Sequence, residues 1–246
     1  MLFLKPNEMR PEKTIGSLLL IGAAGVLIPY TILTISFDYP DILREETSII
    51  LSRFHEGGSK LIGTWFIFAL GGITLIPAYI LIGQKLEARS LLVRTATVFG
   101  VIGLIVQMIG LLRWTFVVPV LASSYVNTTD QAIKASAMIS FKTIHQFGGV
   151  LLGEHLGQLF TIIWTVLISI VFNRLKLVPK WITWLAFISS AIYLLSQAEL
   201  LATVIPDLLV WDLAGFIGST LWLIWLIVIG IKFLRTRWNN IQLSIA

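Results

Sequence analysis

Six stretches of this chain are each apolar for about 20 residues or more, the length a helix needs to cross a hydrocarbon core about 30 Å thick. They cover residues 14–37, 61–83, 95–122, 144–172, 181–205 and 208–234. Lipid offers no partner to a backbone N–H or C=O, so spanning segments are helices or closed barrels, and unbroken runs of this length are helices. The chain therefore reads as an all-α integral membrane protein, a six-transmembrane-helix bundle in which residues 1–246 form one domain. Composition agrees, since only 13% of the residues are charged where a soluble domain carries about 25%. The first apolar stretch exceeds the roughly 7–15 residues of a secretory signal core. It follows Lys5, Glu8, Arg10, Glu12 and Lys13, so it reads as an uncleaved span.

Charge sets the expected orientation. Lys5, Arg10, Lys13, Lys85, Arg89, Arg94, Arg174, Lys176, Lys180, Lys232, Arg235 and Arg237 fall on one side of the six stretches, twelve in all. Arg44, Arg53, Lys60, Lys134 and Lys142 fall on the other, and Arg113 lies inside a stretch. Basic residues concentrate in cytoplasmic loops. Both termini are thus expected in the cytoplasm, with the protein a multi-pass component of the cell membrane. The net charge of +5 follows from these flanks, so lipids and not nucleic acid are the expected partners. The absence of cysteine excludes disulfides, thiolate metal sites and cysteine nucleophiles.

Two outer loops, 38–60 and 123–143, are long enough to fold over the mouth of a bundle. The first has a helical pattern near 42–54 suited to the membrane interface. A short turn at Pro206 and Asp207 makes the last two spans antiparallel neighbours. Pro29, Pro77 and Pro119 are candidate kinks. Most of the nine tryptophans read as interface anchors or lipid-facing bulk; Trp114, beside Arg113, is the exception.

Ionisable residues inside spans are rare and face the protein interior. Here they are Arg113, Glu154, His155, Glu199 and Asp212, with Gln107, Gln158 and Gln197 nearby and His145 at the start of the fourth span. At 1.5 Å per residue, Arg113 lies about 14 Å, Glu154 about 16 Å, Glu199 about 9 Å and Asp212 about 6 Å below the outer surface. They are expected in one layer. On a helical wheel Glu154, His155 and Gln158 share an arc of roughly 100°. Gly149, Gly153 and Gly157 line an adjacent face, a small-residue stripe suited to close helix packing and to a homodimer. An isolated buried ion is costly, so Arg113 is expected to pair with Glu154, with Glu199 or Asp212 completing a triad with Arg113 or His155.

Leu112-Arg113-Trp114, Val118-Pro119-Val120, Gly153-Glu154-His155-Leu156-Gly157 and the later Trp164 resemble a bacterial multi-pass family known as domain of unknown function 4386. The resemblance runs from the first span to the sixth. It implies a bacterial integral membrane protein and marks Arg113, Trp114, Glu154 and His155 as motif positions. It implies no activity.

Three functions suit these residues. The first is binding or transport of a small polar or amphipathic ligand by Arg113, Trp114, Glu154, His155, Gln158, Glu199 and Asp212. Arg113 would meet an anionic group, and Glu154 and His155 would exchange a proton. The second is a structural or partner-binding protein in which the Arg–Glu pair orders the helices. The third is an intramembrane metal-dependent hydrolase using His155, Glu199 and Asp212. No cofactor is expected, since His145 and His155 lie about 15 Å apart along one helix and do not suit a shared metal or a haem.

Overall fold

The structure is a computed structural model and describes residues 11–235; Lys5, Glu8, Arg10, Arg237 and Trp238 lie outside the described residues. Six helical runs are long and apolar enough to cross a membrane: Pro11–Phe37, Thr47–Arg89, Leu92–Val126, Gln131–Arg174, Lys180–Ala202 and Ala214–Arg235. Six such helices support a multi-pass membrane protein, in line with the hydropathy of the sequence.

Local breaks divide these spans. Span one is a single helix, α1 (Pro11–Phe37), uninterrupted by Pro29. Span two holds α2 (Thr47–Gly71) and α3 (Leu75–Leu86). Span three holds α4 (Leu92–Phe116) and α5 (Val118–Val126), which part at Val117. Pro119 sits in the first turn of α5, where a missing N–H costs nothing. Span four runs through α6 (Gln131–Ile144), a wider π-helical stretch of 12 residues (His145–Leu156) and α7 (Gly157–Arg174). Span five holds α8 (Lys180–Leu195) and α9 (Gln197–Ala202); span six is α10 (Ala214–Arg235).

Three expectations change. The loop expected at 123–143 is mostly helical: Asp130 caps α6 by accepting the Ala132 N–H at 2.7 Å, and the resulting run of 44 residues outreaches the ~30 Å core. The helix expected to lie apart within 38–60 instead leads directly into span two from Thr47. It bends at Gly58, whose φ of 54° and ψ of −152° belong to a region open essentially to glycine alone. The short turn expected at Pro206 is also longer. Residues 203–213 are non-helical, so Asp212 lies before span six and not within it.

The spans pack in chain order, each against the next, and α1 meets α10. Gly16 abuts Gly230, so the first and last described residues share one end, here the terminal end; the opposite end is the loop end. Each end has its own buried apolar cluster. The terminal-end cluster draws on every span and centres on Tyr79, Trp164, Trp225 and Phe233. The loop-end cluster, around Phe37, Phe54, Trp65, Trp114 and Phe141, draws on spans one to four alone. Spans five and six therefore leave the loop-end half without an apolar core of their own, and polar groups occupy that side.

Candidate functional site

Arg113 closes α4 one turn before the break at Val117, whose N–H it accepts at 2.9 Å. Only 6% of the residue is exposed. Its Nη1 donates to the Gly110 carbonyl at 2.5 Å, and its Nη2 faces His145 Nδ1 at 3.5 Å. The guanidinium carbon lies 5.3 Å from the Trp114 ring centroid. Trp114 is fully buried and stacks on Trp65 with centroids 4.7 Å apart. The Arg113 Nε is buried without a partner, and such a donor is costly to leave unmet.

The glycine stripe explains how so large a cation fits. A Cβ at Gly149 would run into the Arg113 guanidinium, and one at Gly157 into Gln107. A Cβ at Gly110 would lie 2.6 Å from the Gly153 Cα. The stripe thus packs against span three within the chain. Gln107 anchors the same seam by donating to the Gly157 carbonyl at 2.9 Å and to Thr161 Oγ1 at 2.8 Å.

Glu154 lies in the π-helical stretch, where i→i+5 bonding alters the angular step assumed for an α-helical wheel. Single-turn π-bulges recur at functional sites; twelve residues is a longer excursion. Arg113 and Glu154 are within electrostatic reach of each other, but the expected ion pair does not form: the guanidinium is turned to Gly110 and His145. Glu154 is half-buried, and its carboxylate makes no hydrogen bond among the described residues. Tyr39 and Tyr193 are its electrostatic neighbours. Both are half-buried, and neither hydroxyl is hydrogen-bonded among the described residues. Burial first, and the Glu154 charge second, push the Tyr39 phenol well above its usual range. These groups form a polar cluster in which the Arg113 Nε is buried without a partner and neither the Glu154 carboxylate nor the two phenols are hydrogen-bonded among the described residues.

His155 and Gln158 come together with span five, and they do so where it breaks. His155 Nδ1 meets Gln197 Oε1 at 2.7 Å, Gln197 Nε2 donates to Gln158 Oε1 at 2.7 Å, and Ser196 Oγ donates to the same oxygen at 3.3 Å. An amide oxygen only accepts, so His155 carries its proton on Nδ1 in this network. Ser196 ends α8, and the bend there brings Gln197 over the π-helical segment.

Glu199 and Asp212 do not join Arg113 or His155. Glu199 accepts from Arg44 at 2.6 Å, and Asp212 is exposed within electrostatic reach of Arg44. The hydrogen bond to Glu199, foremost, raises the Arg44 pKa. Arg44 also pairs with Asp41 at 2.5 Å. The charges expected in a single layer thus divide by bonding: Arg113 and the half-buried Glu154 carry no ion pair, while Glu199 is bonded to the exposed Arg44 although it still lies within electrostatic reach of Glu154. His155 is bonded to Gln197 and Glu199 to Arg44, and among the described residues no three metal-binding side chains converge.

An open groove of about 870 Å³ leads from the loop end to His145, between Glu45, Thr47, Phe141, Lys142, Gln146 and Thr203. Tyr39, Tyr193 and Arg44 are the residues near the site that residue-type reasoning does not single out, and His145 is singled out there only with the other span histidine. His145 was visible as a histidine at the head of an apolar run, but no sequence signal links the tyrosines to Glu154.

Residues 14–230 match the family described as Domain of unknown function (DUF4386). No curated relative and no solved structure matches the chain.

Proposed function

The chain belongs to the Domain of unknown function (DUF4386) family, a membership that assigns no activity, and we propose that it binds a small polar or amphipathic ligand in the crevice around Glu154, as a binding or transport protein. One observation carries this reading: Arg113 and Glu154 lie within electrostatic reach and stay unpaired. Two opposite charges kept only to order helices are expected to close on each other, because an uncompensated buried ion costs several kcal/mol, on the order of 3–5 when a partner is lost. A pair held apart, with the Arg113 Nε free, suits a third participant that accepts from the guanidinium and donates to the carboxylate. Trp114 and Tyr39 give it apolar walls. The groove at His145 supplies a path from the loop end, and the His155–Gln197–Gln158 network holds spans four and five in register beside the site.

The reading includes the cell membrane as location and both termini in the cytoplasm, supported by twelve basic residues on the terminal side against five on the loop side. The chain lacks cysteine, so single substitutions test this cleanly. A membrane-impermeant maleimide added to intact cells should label Thr129→Cys and spare Arg174→Cys; the opposite pattern reverses the orientation.

The decisive experiment is an experimental structure of the full chain in lipid nanodiscs, resolved well enough to show headgroups and waters. Non-protein density bonded to both Arg113 and Glu154 is the expected result. A dry bridge between the two, with no space left beside Tyr39 and Tyr193, would overturn ligand binding and leave helix ordering as the role of the pair.

A further inference from the structure

A second site lies at the terminal end, far from Glu154 and independent of the reading above. There the start of α8 and the last turns of α10 leave a groove of about 420 Å³, whose walls include Trp181, Ile182, Val228, Ile231, Lys232 and Arg235. Its two ends differ chemically. Ile182, Val228 and the exposed Ile231 form an apolar trough along the helices. Lys232 and Arg235 stand at the mouth, with the indole of Trp181 beside them, 57% exposed.

The cations are the informative part. At this same end Lys85 bonds Glu12 at 2.6 Å, and Arg94 meets Glu87 at 3.4 Å. Lys232 and Arg235 make no ion pair or hydrogen bond among the described residues. Two uncompensated cations over an apolar trough, with a tryptophan at headgroup level, complement one class of molecule: a phospholipid whose headgroup is anionic. Basic pockets between spans bind such headgroups, and each cation near the surface contributes about 1 kcal/mol.

We propose that the groove between α8 and α10 is a binding site for one anionic phospholipid, its phosphate held by Lys232 and Arg235 and one acyl chain lying along Ile182, Val228 and Ile231.

Native mass spectrometry of the full chain, released from mixed micelles of phosphatidylglycerol and phosphatidylcholine in equal amounts, tests this. The expected spectrum shows a retained phosphatidylglycerol adduct and little phosphatidylcholine. The double variant K232Q/R235Q should weaken the adduct about tenfold or more. The single variant R235Q, at an exposed last-turn residue, should weaken it less and serves if the double variant folds poorly. Arg174 and Lys176 are exposed at the same end but outside the groove, so R174Q/K176Q should retain the adduct. Equal retention of the two lipids, or equal losses in the two double variants, would show general attraction to positive charge and overturn the site. Displacement of the lipid by millimolar inorganic phosphate would show an anion site with no use for the trough, and would overturn the lipid assignment as well.

Discussion

The terminal-end and loop-end halves of this protein use aromatic and polar residues in opposite ways. In the terminal-end half Trp164 is clamped between Tyr79, stacked at 3.6 Å, and Trp225, edge-on at 5.7 Å. Gly100 makes room for the stack, since a Cβ there would lie 2.5 Å from the Trp164 ring. Trp222 ties the same layer by donating to Thr165 at 3.1 Å. Every span contributes to the apolar cluster, and the buried Glu12 at this end is paired with Lys85 at 2.6 Å. In the loop-end half a comparable aromatic stack, Trp65 on Trp114, packs one side only. The other side holds Arg113, Glu154, Tyr39 and Tyr193, with the Arg113 Nε buried and unpartnered. Charge pairing is what separates the two halves: Lys85 and Glu12 are bonded at 2.6 Å at the terminal end, whereas Arg113 and Glu154 form no ion pair.

The largest expected effect comes from breaking the closed half. Trp164→Ala removes a fully buried side chain that packs against spans two, three and six. In lipid the lost stabilisation is van der Waals packing more than water exclusion, and large-to-small core changes of this kind cost about 3–5 kcal/mol. Denaturant unfolding in detergent should register it. A cost under about 1 kcal/mol, in the range of surface changes, would mean that this half is not the stabilising one.

Next comes the seam that carries the site. Gly110→Ala forces a methyl group against the backbone of Gly153, and overpacking costs about 1–3 kcal/mol. Gly149→Ala presses instead on the end of Arg113, a flexible side chain, and should cost less while displacing the guanidinium. The pair sharpens the comparison, because the first variant reports on helix packing and the second on the cation. Equal thermal destabilisation by both would count against Arg113 being cradled by Gly149.

Glu154→Gln separates the two readings of the open half. A directly paired buried carboxylate leaves its cation stranded when removed, at about 3–5 kcal/mol. Glu154 has no such bond, so the variant should unfold within about 1 kcal/mol of the wild type while losing any density or co-purified molecule at the site. A severe loss of stability would mean that Glu154 holds the helices after all.

How far these two halves were legible in the sequence follows from the same physics. Spans declare themselves through hydropathy, and Arg113, Glu154 and His155 stand out because an ion in an apolar run is anomalous wherever it points. Buried tryptophans do not stand out: Trp65, Trp164 and Trp225 are fully enclosed, yet their composition equals that of interface anchors such as Trp181 and Trp184, which are exposed. The start of span six was obscured because Leu208 to Leu213 is apolar apart from Asp212, so hydropathy ran on through a segment that is not helical. The long fourth helix was obscured for the converse reason. Its first turns, Gln131 to Lys142, are too polar to resemble a span, although Asp130 supplied an N-cap signal. Pairing is the least legible property. Depth matching brings Arg113 and Glu154 to the same level, but the guanidinium bonds Gly110 within its own helix and faces His145 at the head of the π-helical stretch, and no residue pattern in the chain signals that winding.

The smallest effect belongs to the ion pairs of the exposed Arg44. Arg44 bridges the segment after α1 to Glu199 on α9, and its side chain is 50% exposed. Exposed pairs contribute about 0–1 kcal/mol and are screened by salt. Arg44→Ala should therefore shift the melting temperature little, and less in high salt. Gln146 of span four also ties the end of span five, donating to Thr203 just beyond α9 at 2.9 Å, so the variant leaves that tie in place. If the Glu154 crevice is the binding site, Arg44→Ala should leave ligand affinity nearly unchanged where Glu154→Gln abolishes it. A loss of binding on removal of Arg44 would move the recognition of the ligand from the buried charges to the loop end.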